Sequence, residues 1–231
     1  MSQGASPLQR LKYRVLSHLP GQRGVHYLHK ATRARWPEVQ AEFAKALEAA
    51  KSGICIDLGA NLGVMTCKMA AVAETVYAFE PDPWTVAQLR DAVRDLPNVE
   101  VIEAAAGTEA GMLPLYRSAK FDHDPEKGSL SATLIAEKTN VTETPAAEVQ
   151  QVDFPAFIRD LDRDVAIIKI DIEGGEVALL EALLEDPVLT RIGHIFVETH
   201  ETRVPALAAR SITLRRRVRG MTRPRICMDW D

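Results

Sequence analysis

The chain has 231 residues, of which 46% are hydrophobic and 26% charged, and a formal net charge of −4. That length suits one domain of about 100–200 residues with an appendage, and the composition excludes disorder, a collagen-like repeat and a disulfide scaffold as global descriptions. No apolar run approaches the roughly 20 residues of a membrane-spanning helix, and the N-terminus lacks the basic-then-apolar pattern of a signal peptide, so a cytoplasmic protein is expected.

Residues 5–18 carry Leu8, Leu11, Val15 and Leu16 after Ser6-Pro7, which predicts a short amphipathic helix that Pro20-Gly21 ends. Pro37 opens a second helix, with Val39, Phe43, Leu47 and Ala50 at helical spacing, closed by Lys51-Ser52-Gly53. From there strands and helices alternate. Ile54–Leu58 reads as a strand buried on both faces and Thr75–Phe79 and Val99–Ile102 as the next strands, with helices over Val64–Ala71 and from Asp82-Pro83 to Leu96 between them. Residues 111–153 interrupt the alternation. Met112–Arg117 and Val149–Val152 read as strands, and the polar stretch 117–148 between them reads as an insertion of the kind that is a lid, a binding loop or disordered. A helix over Phe154–Leu161, a strand over Val165–Asp171, a helix over Glu176–Leu184 and a strand over His194–Thr199 follow. A basic helix over Pro205–Arg219 and a strand over Arg225–Met228 end the chain. The reading is an α/β fold with a doubly wound, mostly parallel sheet. It divides the chain into an N-terminal helical extension, 1–50, and a main domain, 51–231.

Asp57-Leu58-Gly59-Ala60-Asn61-Leu62-Gly63 stands at the end of the first strand. Glycines there let the backbone turn sharply and approach a ligand, and the next helix offers free N–H groups. A dinucleotide fingerprint would need glycine at 59, 61 and 64, but Asn61 and Val64 stand there, and no GK[ST] completes a phosphate loop. Glu80, followed by Pro81, falls where the second strand ends; a carboxylate there can accept from two neighbouring ribose hydroxyls. In Ile168–Glu176, strand alternation puts Lys169, Asp171 and Glu173 on one face at the carboxyl end of a parallel strand. Three charges in a buried strand need a use, because unpaired buried charge is costly. Glu198 and His200 share a face at the end of the next strand, and a histidine beside carboxylates is a candidate general base.

The segment Asp57–Gly63 resembles the first motif of class I S-adenosylmethionine (SAM)-dependent methyltransferases. Together with Phe79-Glu80-Pro81, Lys169–Glu176 and Val197-Glu198-Thr199-His200, it resembles the FkbM-type family over roughly residues 53–200. The resemblance implies a Rossmann-like seven-stranded fold, SAM as methyl donor, and O-methylation of a hydroxyl on a sugar, glycan or natural-product-like small molecule. It implies cofactor binding by Asp57, Gly59, Ala60, Asn61, Gly63, Glu80, Pro81, Ala105 and Asp171. Ala104–Ala106 would border the adenine, and Asp57 would sit near the ammonium or a bridging water. Asp171, Glu173, His200 and Lys169 are the catalytic candidates: Asp171 orients, His200 or Glu173 takes the proton, and Lys169 pairs with Asp171 or holds an anionic acceptor.

Asp171, Glu173, Glu198 and His200 could ligate Mg2+ or Mn2+, but nothing in their spacing demands it, and no metal is assigned. His26 and His29 read as surface residues, and Asn140-Val141-Thr142 as a chance sequon. Cys55, Cys67 and Cys227 form no CxxC pair and read as small hydrophobes in a reducing compartment. Residues 1–36 hold seven Lys/Arg and 203–225 hold eight Arg, with no acid in either, on a body of net charge about −17. Basic ends suit weak contact with an anionic surface. RNA methylation and a non-catalytic SAM-binding module are the alternatives. The missing aromatic stacking patch argues against nucleic acid, and the second charged cluster argues for an enzyme.

Overall fold

The computed structural model describes residues 5–19, 21–136, 138–139 and 141–230; Pro20 of the expected helix stop and Asn140 of the sequon lie outside them. The N-terminal part is three helices, α1 (Pro7–Leu16), α2 (Gly21–Ala34) and α3 (Trp36–Ala49). The sequence predicted two. The missed α2 buries Gly24, Val25, Thr32 and Ala34, all small except one valine, so no stripe of large apolar residues marks it.

The alternating part runs β1 (Ile54–Leu58), α4 (Val64–Ala70), β2 (Thr75–Phe79), α5 (Pro83–Ala92) and β3 (Val99–Ile102). It continues with β4 (Ala105–Gly107), β5 (Gly111–Leu115), α6 (Pro125–Ser129), β6 (Ala147–Asp153) and α7 (Phe154–Asp160). Then come β7 (Val165–Ile170), α8 (Glu176–Glu185), β8 (Ile192–Glu198), α9 (Ala208–Arg217) and β9 (Arg225–Trp230). The main sheet is doubly wound in the order β3-β2-β1-β7-β8-β9, with every neighbouring pair parallel. It has six strands where seven were expected. The two strands read around the polar stretch, β5 and β6, pair antiparallel with each other in a separate sheet, β4-β6-β5. Pro114 lies in β5, at the edge of that sheet, where its missing N–H costs no ladder bond.

Strand alternation builds a core on each face of the main sheet. Ile56, Leu58, Ile168, Ile170, Ile195 and Val197 pack with Phe154 and Ile158 of α7 and Leu179, Leu180 and Leu183 of α8. Their neighbours Cys55, Ile167 and Phe196 point the other way, onto Val39 and Phe43 of α3 and Met69 of α4. Phe43 lies 5.1 Å from the Phe196 ring and 4.9 Å from the Trp230 ring. All three cysteines are free, Cys55 and Cys227 buried and Cys67 half-buried. Burial pushes the Cys55 thiol up to about 12, so it stays a thiol at neutral pH.

The strand order reverses beside β1, because the chain builds outward to β3 and then returns to lay β7 on the opposite side. Open α/β sheets place ligands in the crevice at the carboxyl ends of strands at that switch. The polar stretch is pinned beside it. Arg117 grips Asp82, the residue capping α5, through two bonds of 2.6 and 2.7 Å, and lies 4.1 Å from the Phe121 ring.

Candidate active site

β1 delivers Asp57 to the crevice floor, fully buried. Its carboxylate accepts from Thr66 Oγ1 at 2.7 Å and pairs with Lys169 Nζ at 3.3 Å. Lys169, opposite it in register on β7, also donates to the Gly59 carbonyl at 2.9 Å and pairs with Asp171 at 3.3 Å. Burial would lower the Lys169 ammonium's pKa, but Asp171 and Asp57 outweigh burial and raise it. Lys169 is therefore a fixed cation that ties β1, β7 and the glycine loop together.

Two glycines of that loop have no substitute. Gly59 has φ +75°, and a Cβ there would lie 1.8 Å from the Asp171 carbonyl oxygen. Gly63 has φ +86°, and its Cβ would meet Leu89 of α5 at 2.9 Å. Asn61 between them has φ +48°, a conformation asparagine tolerates better than most residues, and its N–H donates to Glu80 Oε2 at 3.0 Å. The Asp82 N–H donates to Glu80 Oε1 at 3.0 Å. Glu80 is thus held by two backbone donors, and each carboxylate oxygen keeps a further acceptor site. Burial pushes its pKa up to about 7 against those two bonds.

A cavity of about 300 Å3 opens over the ends of β1, β2 and β7, within the roughly 300–1,000 Å3 that holds small-molecule ligands. Gly59, Asn61, Glu80, Pro81, Ala105 and Asp171 line it, as does Glu173. Asp57, Ala60, Gly63, Lys169 and His200 are not in its wall. Asp57 and Lys169 brace the loop, and Ala60 and Gly63 face α5. The far wall comes from the polar stretch at Ser129–Leu130 and Ala132–Ile135.

Beyond Asp171 the strand alternation fails. β7 ends at Ile170, and Glu173 has φ +57°, which turns it away from Lys169. It pairs instead with Lys138 Nζ at 2.6 Å and with His200 Nε2 at 3.2 Å. His200 is buried, its Nδ1 against Glu176 and its Nε2 3.6 Å from Glu198 and 3.8 Å from Asp171. Burial alone would lower its pKa; Glu176, Glu173 and Asp171 outweigh burial and raise it to about 10. An imidazolium has no lone pair for a proton. The carboxylates around His200 therefore favour its protonated form, and of the two proton acceptors the sequence offers, Glu173 is the one in the cavity wall. Asp171, Glu198 and His200 offer ligand atoms within 4.8 Å of one another, so a divalent ion that displaced the proton could bind there.

Sequence reasoning missed Lys138, Glu176 as the partner of His200, and the Arg117–Asp82 clamp. Lys138 is one cation in a Thr- and Glu-rich stretch without periodicity, and only the tertiary fold brings it to Glu173. Glu176 showed a signal, as an acid at the start of a helix, where the dipole favours it. Its carboxylate accepts from the Gly174 N–H, with both oxygens at 3.0 Å.

The doubly wound sheet thus carries a glycine loop at its switch point, a buried carboxylate just after β2 and charged groups after β7. A family profile described as the methyltransferase FkbM domain matches residues 57–216. The chain belongs to this family of methyltransferase domains. No curated protein sequence matches the chain. Among solved structures it is similar to a precorrin 8w decarboxylase from Methanobacterium thermoautotrophicum, with 14% identity, TM-score 0.36, and coverage of 64% of this chain and 56% of that one. It is similar to the 23S rRNA methyltransferase ErmE, with 17% identity, TM-score 0.36, and coverage of 67% and 43%. A precorrin-6y C5,15-methyltransferase from Geobacter metallireducens shows 16% identity, TM-score 0.37, and coverage of 68% and 59%. The matched parts span less than two thirds of the length of each of these three proteins.

Proposed function

We propose that the protein methylates a hydroxyl oxygen on a sugar, glycan or similar polyhydroxylated small molecule. The observation that supports this reading is one cavity lined by Glu80 from β2 and by Asp171 and Glu173 after β7, on either side of β1. SAM fits the donor set: a glycine at position 59 that no side chain can replace, a buried carboxylate with acceptor capacity left over, and small apolar residues at Ala104–Ala106. Glu80 would bind the ribose hydroxyls, Gly59 and Asn61 the amino-acid end, and Ala105 the adenine face. Bound SAM supplies a methyl on a positively charged sulfur, open to in-line displacement.

The chain's own contribution is positioning and proton management. Holding the acceptor oxygen within about 3–3.5 Å of the methyl, in line, accounts for much of the rate. Asp171 orients the acceptor and is held in place by Lys169. Glu173, in the cavity wall, takes the acceptor's proton. His200 stays protonated, acting through Glu173 and Glu176 as a positioning residue. The pinned stretch at Ser129–Ile135 excludes water. A test is release of S-adenosylhomocysteine (SAH) across a panel of sugars and glycans. Glu173→Gln should lower kcat at least a hundredfold with SAH affinity within threefold of wild type. An unchanged kcat would remove Glu173 as the base.

A further inference from the structure

The two basic ends of the sequence meet in space. A groove of about 1130 Å3, separate from the active-site cavity, runs between α1 and α2 on one side and α9 and β9 on the other. Seven arginines line it against two acids, Glu38 and Asp229. Glu38 pairs with Arg10, and Asp229 with Arg35 and Arg215. Arg14, Arg216 and Arg219 are exposed and have no carboxylate partner among the described residues. Along the rim, α1 carries Arg10, Lys12 and Arg14 and no acid, and buries none of its own residues. Leu8, Leu11 and Val15 form one stripe on it, 82%, 61% and 61% exposed, and Leu19, just past its end, is 41% exposed. Leu11 and Leu19 also line the groove, so the apolar stripe and the arginines are continuous.

We propose that this face docks on an anionic lipid bilayer. In that arrangement α1 lies in the plane of the headgroups with its stripe toward the acyl chains, and the groove arginines take the headgroup phosphates. A basic helix with an exposed apolar face is the pattern of an interfacial helix, and arginine suits phosphate through its planar fork. RNA fits less well. The groove lining includes no Phe, Tyr or Trp on which bases could stack, and the leucine stripe would stay in water. The groove also reaches the catalytic end: Pro205 and Ala206 line it, a few residues past His200, and Arg215 bonds Thr199. Docking there would bring a membrane-borne acceptor to the active-site side.

The test is co-sedimentation of the full chain with vesicles of phosphatidylcholine alone and with roughly one-third phosphatidylglycerol. Binding should require the anionic lipid and weaken as salt shortens the Debye length. Arg216→Gln with Arg219→Gln should weaken it about 25-fold, at about fivefold per arginine near a charged surface. Leu8→Ser with Leu11→Ser should weaken it tenfold or more while SAH binding stays unchanged. The proposal is overturned by absence of binding to anionic vesicles, equal binding to neutral ones, or full binding by the leucine variant. It is also overturned if a single-stranded RNA oligomer binds where vesicles do not, or if the chain is a dimer that the leucine variant dissociates.

Discussion

Glu80 and His200 are both buried and titratable, and their surroundings raise the pKa of both, which favours the neutral form of Glu80 and the charged form of His200. Glu80 has backbone donors on both oxygens, and burial brings its pKa to about 7. Ribose hydroxyls donate to the ionised form, so SAH affinity should fall as pH drops below about 7, and Glu80→Gln should lose that dependence. Calorimetry at pH 6 and pH 8 reads the difference. His200 sits among carboxylates that raise its pKa from 6.5 to about 10. The folded state keeps a proton that the unfolded chain gives up near 6.5. The stability from this pairing is therefore full below about pH 6.5 and is lost as pH rises to about 10. Melting curves between pH 8 and 10 should be flatter for His200→Gln than for wild type, and parallel curves would show that His200 is neutral. Much at this scale was legible. Glu80 and Asp171 follow from strand ends, and Glu173 was picked out by a charge pattern that misplaced it beside Lys169. The sign of the His200 charge was not, because it depends on Glu176 and Glu173, and Glu173 is turned by a positive φ that no alternation rule anticipates.

At the scale of elements, β1 and β7 are legible because they are buried on both faces and read as short apolar runs. The Asp82-Pro83 start of α5 holds as read, with Asp82 accepting from the Trp84 and Thr85 N–H groups. The same Asp82 also receives Arg117, which sequence spacing cannot show. α2 and β4 escape for a common reason: their buried residues are small, and Ala105-Ala106-Gly107 carries no period. Two substitutions test how elements hold the site. Phe43→Ala removes a ring packed between Phe196 and Trp230 and should cost about 3–5 kcal/mol in denaturant unfolding. Lys138→Met breaks a buried pair with Glu173 and should cost a similar 3–5 kcal/mol. It should also speed hydrogen exchange at Thr133–Ile135, where the polar stretch meets the cavity.

For the whole molecule, a net charge of −4 conceals an acidic body with two basic ends, and folding brings those ends to a single groove. The sequence shows the asymmetry but not the convergence, because α2, which forms part of the groove wall, was not visible in it. The domain assignment belongs to this scale as well. α3 packs into the sheet's core through Val39 and Phe43, whereas α1 buries nothing. We therefore propose that the removable extension ends before α3, and that a chain starting near Trp36 folds and binds SAH.

The central claim is that the cavity beside β1 is the SAM site and that Glu80 holds its ribose. Calorimetric titration with SAH, on wild type and on Glu80→Ala, tests it most directly. The expected result is micromolar binding by the wild type that the variant loses by at least tenfold while remaining folded. Saturation at 100 times Kd should add about 2.7 kcal/mol, a rise in Tm of about 5–10 °C for a chain of this size. Equal affinity in the two proteins would contradict the site assignment, and no binding by the wild type would contradict the cofactor reading itself.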